Sequence, residues 1–131
     1  MPARREMPST IRKSPVKAQR TWAKTHDSAV EQYGEGERAH RTAFAALKHA
    51  FEKVGDRWVP KRRKGPSDPR AKRGGKAARE GRGETFGGVD HEGRSRDELY
   101  ARAKKLGVRG RSQMSKKELA RAIARQQQRA A

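Results

Sequence analysis

The sequence predicts a mainly α-helical chain: a small N-terminal helical module, a basic disordered linker and a C-terminal helix-extended-helix module. Three observations predict it. The larger apolar residues fall in two groups, one from Trp22 to Trp58 and one from Leu99 to Ile123, with little between them that favours leaving water. Within each group they recur at helical spacing. In the C-terminal third, a Ser followed three residues later by Glu occurs twice, at Ser95/Glu98 and Ser115/Glu118, each ahead of an apolar repeat. With 31% hydrophobic and 37% charged residues over 131 positions, the chain is too polar for one continuous core. Boundaries at 1–60, 61–94 and 95–131 follow.

The opening, Met1 to Ser14, mixes basic residues with Pro2 and Pro8 and reads as extended. From Val16 the spacing turns helical, with Trp22, His26, Ala29, Val30 and Tyr33 on one face. Gly34-Glu35-Gly36 breaks this helix, and a second runs from about Glu37 to about Val54 with Glu37 in the first turn, where the helix dipole favours an acid. Its inner face is His40, Ala43, Phe44, Leu47, Phe51 and Val54. Two such helices joined by a short glycine loop should lie antiparallel with their aromatic faces together. Gly55-Asp56 then turns the chain, and Trp58-Val59 folds back as a lid.

From Lys61 to His91 the composition of Gly, Pro, Ser, Arg and Lys, with a lone Phe86 and Val89, does not offset its ordering entropy and reads as linker. Arg73-Gly74-Gly75 and Gly81 to Gly88 fit both a soluble spacer and a mobile phosphate-tracking segment. In the last module, a helix from Ser95 through about Leu106 closes at Gly107. Val108 to Met114 is extended, and a second helix runs from Ser115 through about Gln127. Leu99, Ala103, Leu106, Val108, Met114, Leu119 and Ile123 form its small core.

Lys and Arg number 34 against 15 Asp and Glu, a formal charge of +19. Self-repulsion of that size implies a polyanionic partner, nucleic acid before anionic membrane, whether DNA or RNA. No long apolar run or lipidation motif is present, and the absence of cysteine excludes disulfides and thiolate chemistry, so the expectation is a cytoplasmic chain without an integral membrane segment. His26, His40, His49 and His91 show no metal-ligand spacing, and no phosphate-binding or nucleophile motif occurs. The expectation is therefore no enzyme, cofactor, metal or small-molecule substrate. Glu35 and Glu37 read as helix-start acids rather than a cation site. His26, His40, Trp22, Tyr33, Phe44, Phe51 and Trp58 read as core, and Tyr100 as partly exposed.

Residues 7 to 60 resemble the ChaB family through Met7-Pro8, Ala18-Gln19, Gln32-Tyr33, Ala39-His40, Ala45-Ala46-Leu47-Lys48 and Trp58. That resemblance implies a small helical fold with minor strand content and a regulator of a sodium/calcium-proton antiporter that acts by contact with a protein partner. Residues 95 to 127 resemble the N-terminal module of transcription termination factor Rho, which is similar to SAP domains. The resemblance lies in Asp97-Glu98-Leu99-Tyr100, Ala103-Lys104-Lys105-Leu106-Gly107 and Met114-Ser115-Lys116-Lys117-Glu118-Leu119. It implies nucleic-acid binding, in transcription termination or regulation, by Arg109, Arg111, Ser112, Lys116 and Lys117. On charge, the candidate phosphate contacts extend to Arg121 and to Lys61, Arg62, Arg63 and Lys64.

Overall fold

A computed structural model of the chain describes residues 7–73 and 84–130. Its elements are α1 (Ser9–Arg12), α2 (Val16–Tyr33), α3 (Glu37–Ala50), β1 (Phe51–Val54), β2 (Arg57–Pro60), α4 (Pro69–Arg73), α5 (Arg96–Lys105), a 3-10 turn (Arg111–Gln113) and α6 (Lys116–Ala130). The chain is mainly α, as expected.

In α2 the buried residues are Ala18, Trp22, His26 and Ala29, a stripe at successive turns. Ala39, Ala43 and Leu47 form the matching stripe on α3. Gly34 and Gly36, both at positive φ, make the connection that lets the helices pack face to face. Trp22 stacks on His26 with ring centroids 4.6 Å apart, and both meet His40 edge-on. Tyr33 departs from the expected inner face: it is exposed, with the Arg38 guanidinium 3.8 Å from its ring centroid.

The opening segment is less extended than expected, because Ile11 turns inward on the short α1 and is fully buried. Ser14 ties it down: its hydroxyl donates to the Thr10 carbonyl and accepts from the Trp58 backbone N–H. The larger correction lies at the end of α3. The helix stops at Ala50, and Phe51–Val54 pairs antiparallel with Arg57–Pro60, Lys53 opposite Trp58. Gly55 at φ 68 and Asp56 form a two-residue hairpin loop, a signal strong enough to convert flanking aromatic and β-branched residues to strand. Phe51 and Trp58 close the first core, while Val54, placed on the helix face by sequence, is exposed.

The C-terminal module follows its local signals at the helix ends, but Val108 to Met114, expected to be extended, is instead turns and the 3-10 turn Arg111–Gln113, bent at Gly110. Both capping boxes are formed, Ser95 with Glu98 and Ser115 with Glu118. At the end of α5, Gly107 (φ 71) donates to the Lys104 carbonyl and Val108 to the Ala103 carbonyl, the pair of bonds that defines a Schellman stop. Leu99, Ala103, Val108, Leu119 and Ile123 are buried as expected, with Leu106 and Met114 packed beside them.

Residues 61–73 and 84–94 correct the expectation of a disordered linker; Gly74-Gly75 and residues 81–83 lie outside the described residues. Phe86 and Val89 insert into the second core. Asp68 caps α4 through the Ala71 N–H, and Asp90 accepts from the Gly93 N–H. The Lys61 ammonium donates to the carbonyls of Lys48 and Gly65 and to the Ser67 hydroxyl, and lies 3.5 Å from Asp90. A cation on the last carbonyls of α3 is favoured by the helix dipole, and this one holds the segment over the helix end.

The two modules meet at the hairpin. Glu52, which alternates with Phe51 along β1, is fully buried between arginines of the C-terminal side: Arg94 Nη2 and Arg102 Nη1 each stand 2.5 Å from it. Burial pushes its carboxyl up, but the hydrogen bonds from Arg102 and Arg94 outweigh this and hold it below the ordinary range. Gln127 of α6 completes the seam by accepting from the Gly55 N–H at 2.8 Å.

Candidate basic surface

The sequence-predicted contact residues divide by what the fold does with them. Lys61 is withdrawn altogether, since its side chain is 1% exposed and its donors are turned inward. Arg62 pairs with Glu98 at 2.7 Å, while Arg63 and Lys64 are exposed. Arg111 is half-buried: Nη1 donates to the Val108 carbonyl and the guanidinium lies 5.7 Å from the Tyr100 ring centroid. That bond ties it to the connection between the two helices.

Arg109, by contrast, is exposed beside Gly110, whose φ of 73 bends the connection into the 3-10 turn. Ser112 is exposed on that turn. Arg96 donates to the carbonyls of Ser112 and Met114, holding the turn against the start of α5. Lys116 and Lys117 open α6, where the first N–H groups of a helix have no helical partner and only the Ser115 cap intervenes. Lys117 stands 3.7 Å from Glu84, and Arg121 grips the same carboxylate through both Nε and Nη2, the latter at 2.7 Å. Hydrogen bonding from Arg121 holds the Glu84 carboxyl below its usual range.

Lys104, Lys105, Arg109, Lys116 and Arg125 hold no ion pair among the described residues. The cations fall along one stretch of chain, from the last turn of α5 through the connection to the second turn of α6 and beyond. The contacts expected from sequence do not include Lys104, Lys105 or Arg125, and sequence reasoning missed the carboxylate that occupies Arg121. The lone Phe86 was the available signal, because burying it brings Glu84 to α6.

Among the described residues, no group of three His, Asp or Glu side chains is arranged to hold a metal ion. No described helix is long and apolar enough to cross a membrane. The fold and surface define a mainly helical, strongly basic protein with a helix-hairpin module followed by two helices joined by turns and a 3-10 turn. Residues 7–61, the first of these, match the model of the ChaB family. No curated protein and no solved structure matches the chain.

Proposed function

We propose that the protein is a non-enzymatic nucleic-acid-binding protein of the cytoplasm that contacts phosphates through its C-terminal module. The observation that carries this reading is the run of exposed or half-exposed cations without ion pairs, Lys104, Lys105, Arg109, Lys116 and Arg125, from the last turn of α5 to the third turn of α6. Cations left without carboxylates repel one another, and a polyanion relieves that while releasing its own counterions. The resemblance of residues 95–127 to the Rho N-terminal module agrees with this and with a role in transcription termination or regulation.

The test is fluorescence anisotropy of the full chain against duplex and single-stranded nucleic acid over a range of salt. Affinity should fall steeply with salt, and Arg109→Ala with Lys116→Ala should reduce the log–log slope by about 0.9 for each phosphate that is no longer neutralised. Arg111→Ala should instead lower stability first, since its guanidinium fastens the connection. Absence of binding near physiological salt refutes the reading.

The ChaB match favours a second reading, in which residues 7–61 contact a sodium/calcium-proton antiporter as a cation-transport regulator. Recovery with membranes that survives nuclease and requires the antiporter distinguishes it.

A further inference from the structure

A cavity of about 820 Å³ lies between α3, the hairpin and the 66–72 segment, with Phe44 and Trp58 on its wall. Arg41, Lys48 and Lys53 also line it, together with the carboxylates of Glu37 and the buried Asp68. A second cleft, about 480 Å³, is lined by Arg121 and Arg125 of α6 and shares Lys53, Thr85 and Gly87 with the first. The two therefore form one trough, in which Lys53 stands at the junction.

Lys48 and Lys53 are half-buried, and among the described residues neither ammonium has a carboxylate within ion-pair distance. Burial pushes both below the usual lysine range, a cost that a bound anion would reverse. A small amphipathic anion would satisfy the main cavity and leave Arg125 of the second cleft unmatched, Arg121 being held by Glu84. Apolar wall and cations repeating across two joined clefts instead match a chain in which flat apolar groups alternate with charges. Single-stranded nucleic acid has that construction; in a duplex the bases are paired and do not enter a side cavity.

We propose that this trough binds a single strand, with an unstacked base against Phe44 and neighbouring phosphates on Lys48, Lys53 and Arg125. The inference rests on the nucleic-acid reading above and specifies its strandedness and a second contact surface, one that includes the first module. The trough runs from α6 into that module, so both modules take part in one site.

The experiment compares a labelled pyrimidine-rich single strand, an abasic strand of the same length and a duplex, each titrated with the full chain. Ala45→Trp is the principal variant, because Ala45 is exposed on α3 and lines the cavity, so the indole fills the space from outside the core. The expected result is a loss of about tenfold in single-strand affinity for Ala45→Trp, with duplex affinity unchanged. The wild-type preference for the base-bearing over the abasic strand should vanish in that variant. Lys53→Gln, which leaves the cavity open, should weaken single-strand binding and lower its salt slope by about 0.7. Equal binding of base-bearing and abasic strands by the wild type overturns the trough, as does equal loss for single strand and duplex in Ala45→Trp. In either case salt-dependent duplex binding leaves the broader reading standing; no binding to any of the three overturns both.

Discussion

Removing the Glu52 carboxylate tests whether the two modules fold as one body. In Glu52→Ala, Arg94 and Arg102 lose a shared partner that each approaches to 2.5 Å, and their own side chains are only 17% and 21% exposed. Deleting one member of a buried ion pair generally costs about 3–5 kcal/mol, because the remaining charge stays partly out of water. Arg94 retains Glu98 at 2.6 Å, and both guanidinium groups have some access to solvent, so the lower end applies, about 3 kcal/mol. With a urea slope of about 2 kcal/mol/M for a chain of this size, the midpoint should fall by about 1.5 M. Trp22 and Trp58 both belong to the first core, so tryptophan fluorescence follows that module while far-UV circular dichroism follows every helix. The two transitions should coincide in the wild type and separate in Glu52→Ala. The pH dependence has a fixed sign: the folded carboxyl lies below its ordinary value of 4.5, so its contribution is complete above that pH and is lost as pH falls through the folded value. Glu52→Gln should lack this acid sensitivity. A midpoint shift under about 0.5 M, or wild-type transitions that never coincide, would refute the idea that this seam joins the modules.

Lys61→Met should cost about 3 kcal/mol by urea denaturation, stranding Asp90 and the α3 carbonyls, while leaving the salt slope of nucleic-acid binding unchanged, since that ammonium faces inward. Two of the glycines at positive φ, Gly107 and Gly88, should separate clearly in thermal melts. Gly107→Ala meets no atom within 4 Å and carries only left-handed strain of about 1 kcal/mol. Gly88→Ala drives its Cβ into the Trp58 ring as well, and should cost about 3 kcal/mol. Ser115→Ala removes a formed cap and should lower stability by about 1 kcal/mol, read as a fall in melting temperature.

What sequence could and could not show follows from the range of each interaction. The capping boxes at Ser95 and Ser115 and the stop at Gly107 are settled within a few residues, and they form as read. The hairpin was obscured because Leu47, Phe51 and Val54 continue the phase of α3, and periodicity alone does not say where helix yields to strand. Order in the 61–94 stretch was hidden for another reason: its anchors reach far along the chain, Lys61 to Asp90 and Glu84 to Arg121. Composition counts the cations of that stretch without showing which are enclosed. The same partners also shape the outer surface. Glu52, Glu84, Asp90 and Glu98, from a chain with only 15 acidic residues, are engaged by Arg94, Arg102, Arg121, Lys61 and Arg62. Each carboxylate committed to a seam or a cap is one fewer to neutralise Lys104, Lys105, Arg109 and Arg125. The interactions that hold the modules together thus leave Lys104, Lys105, Arg109 and Arg125 as the uncompensated cations of the C-terminal side. A polyanion bound there favours the docked arrangement over the opened one, so binding and the integrity of the seam should be thermodynamically linked.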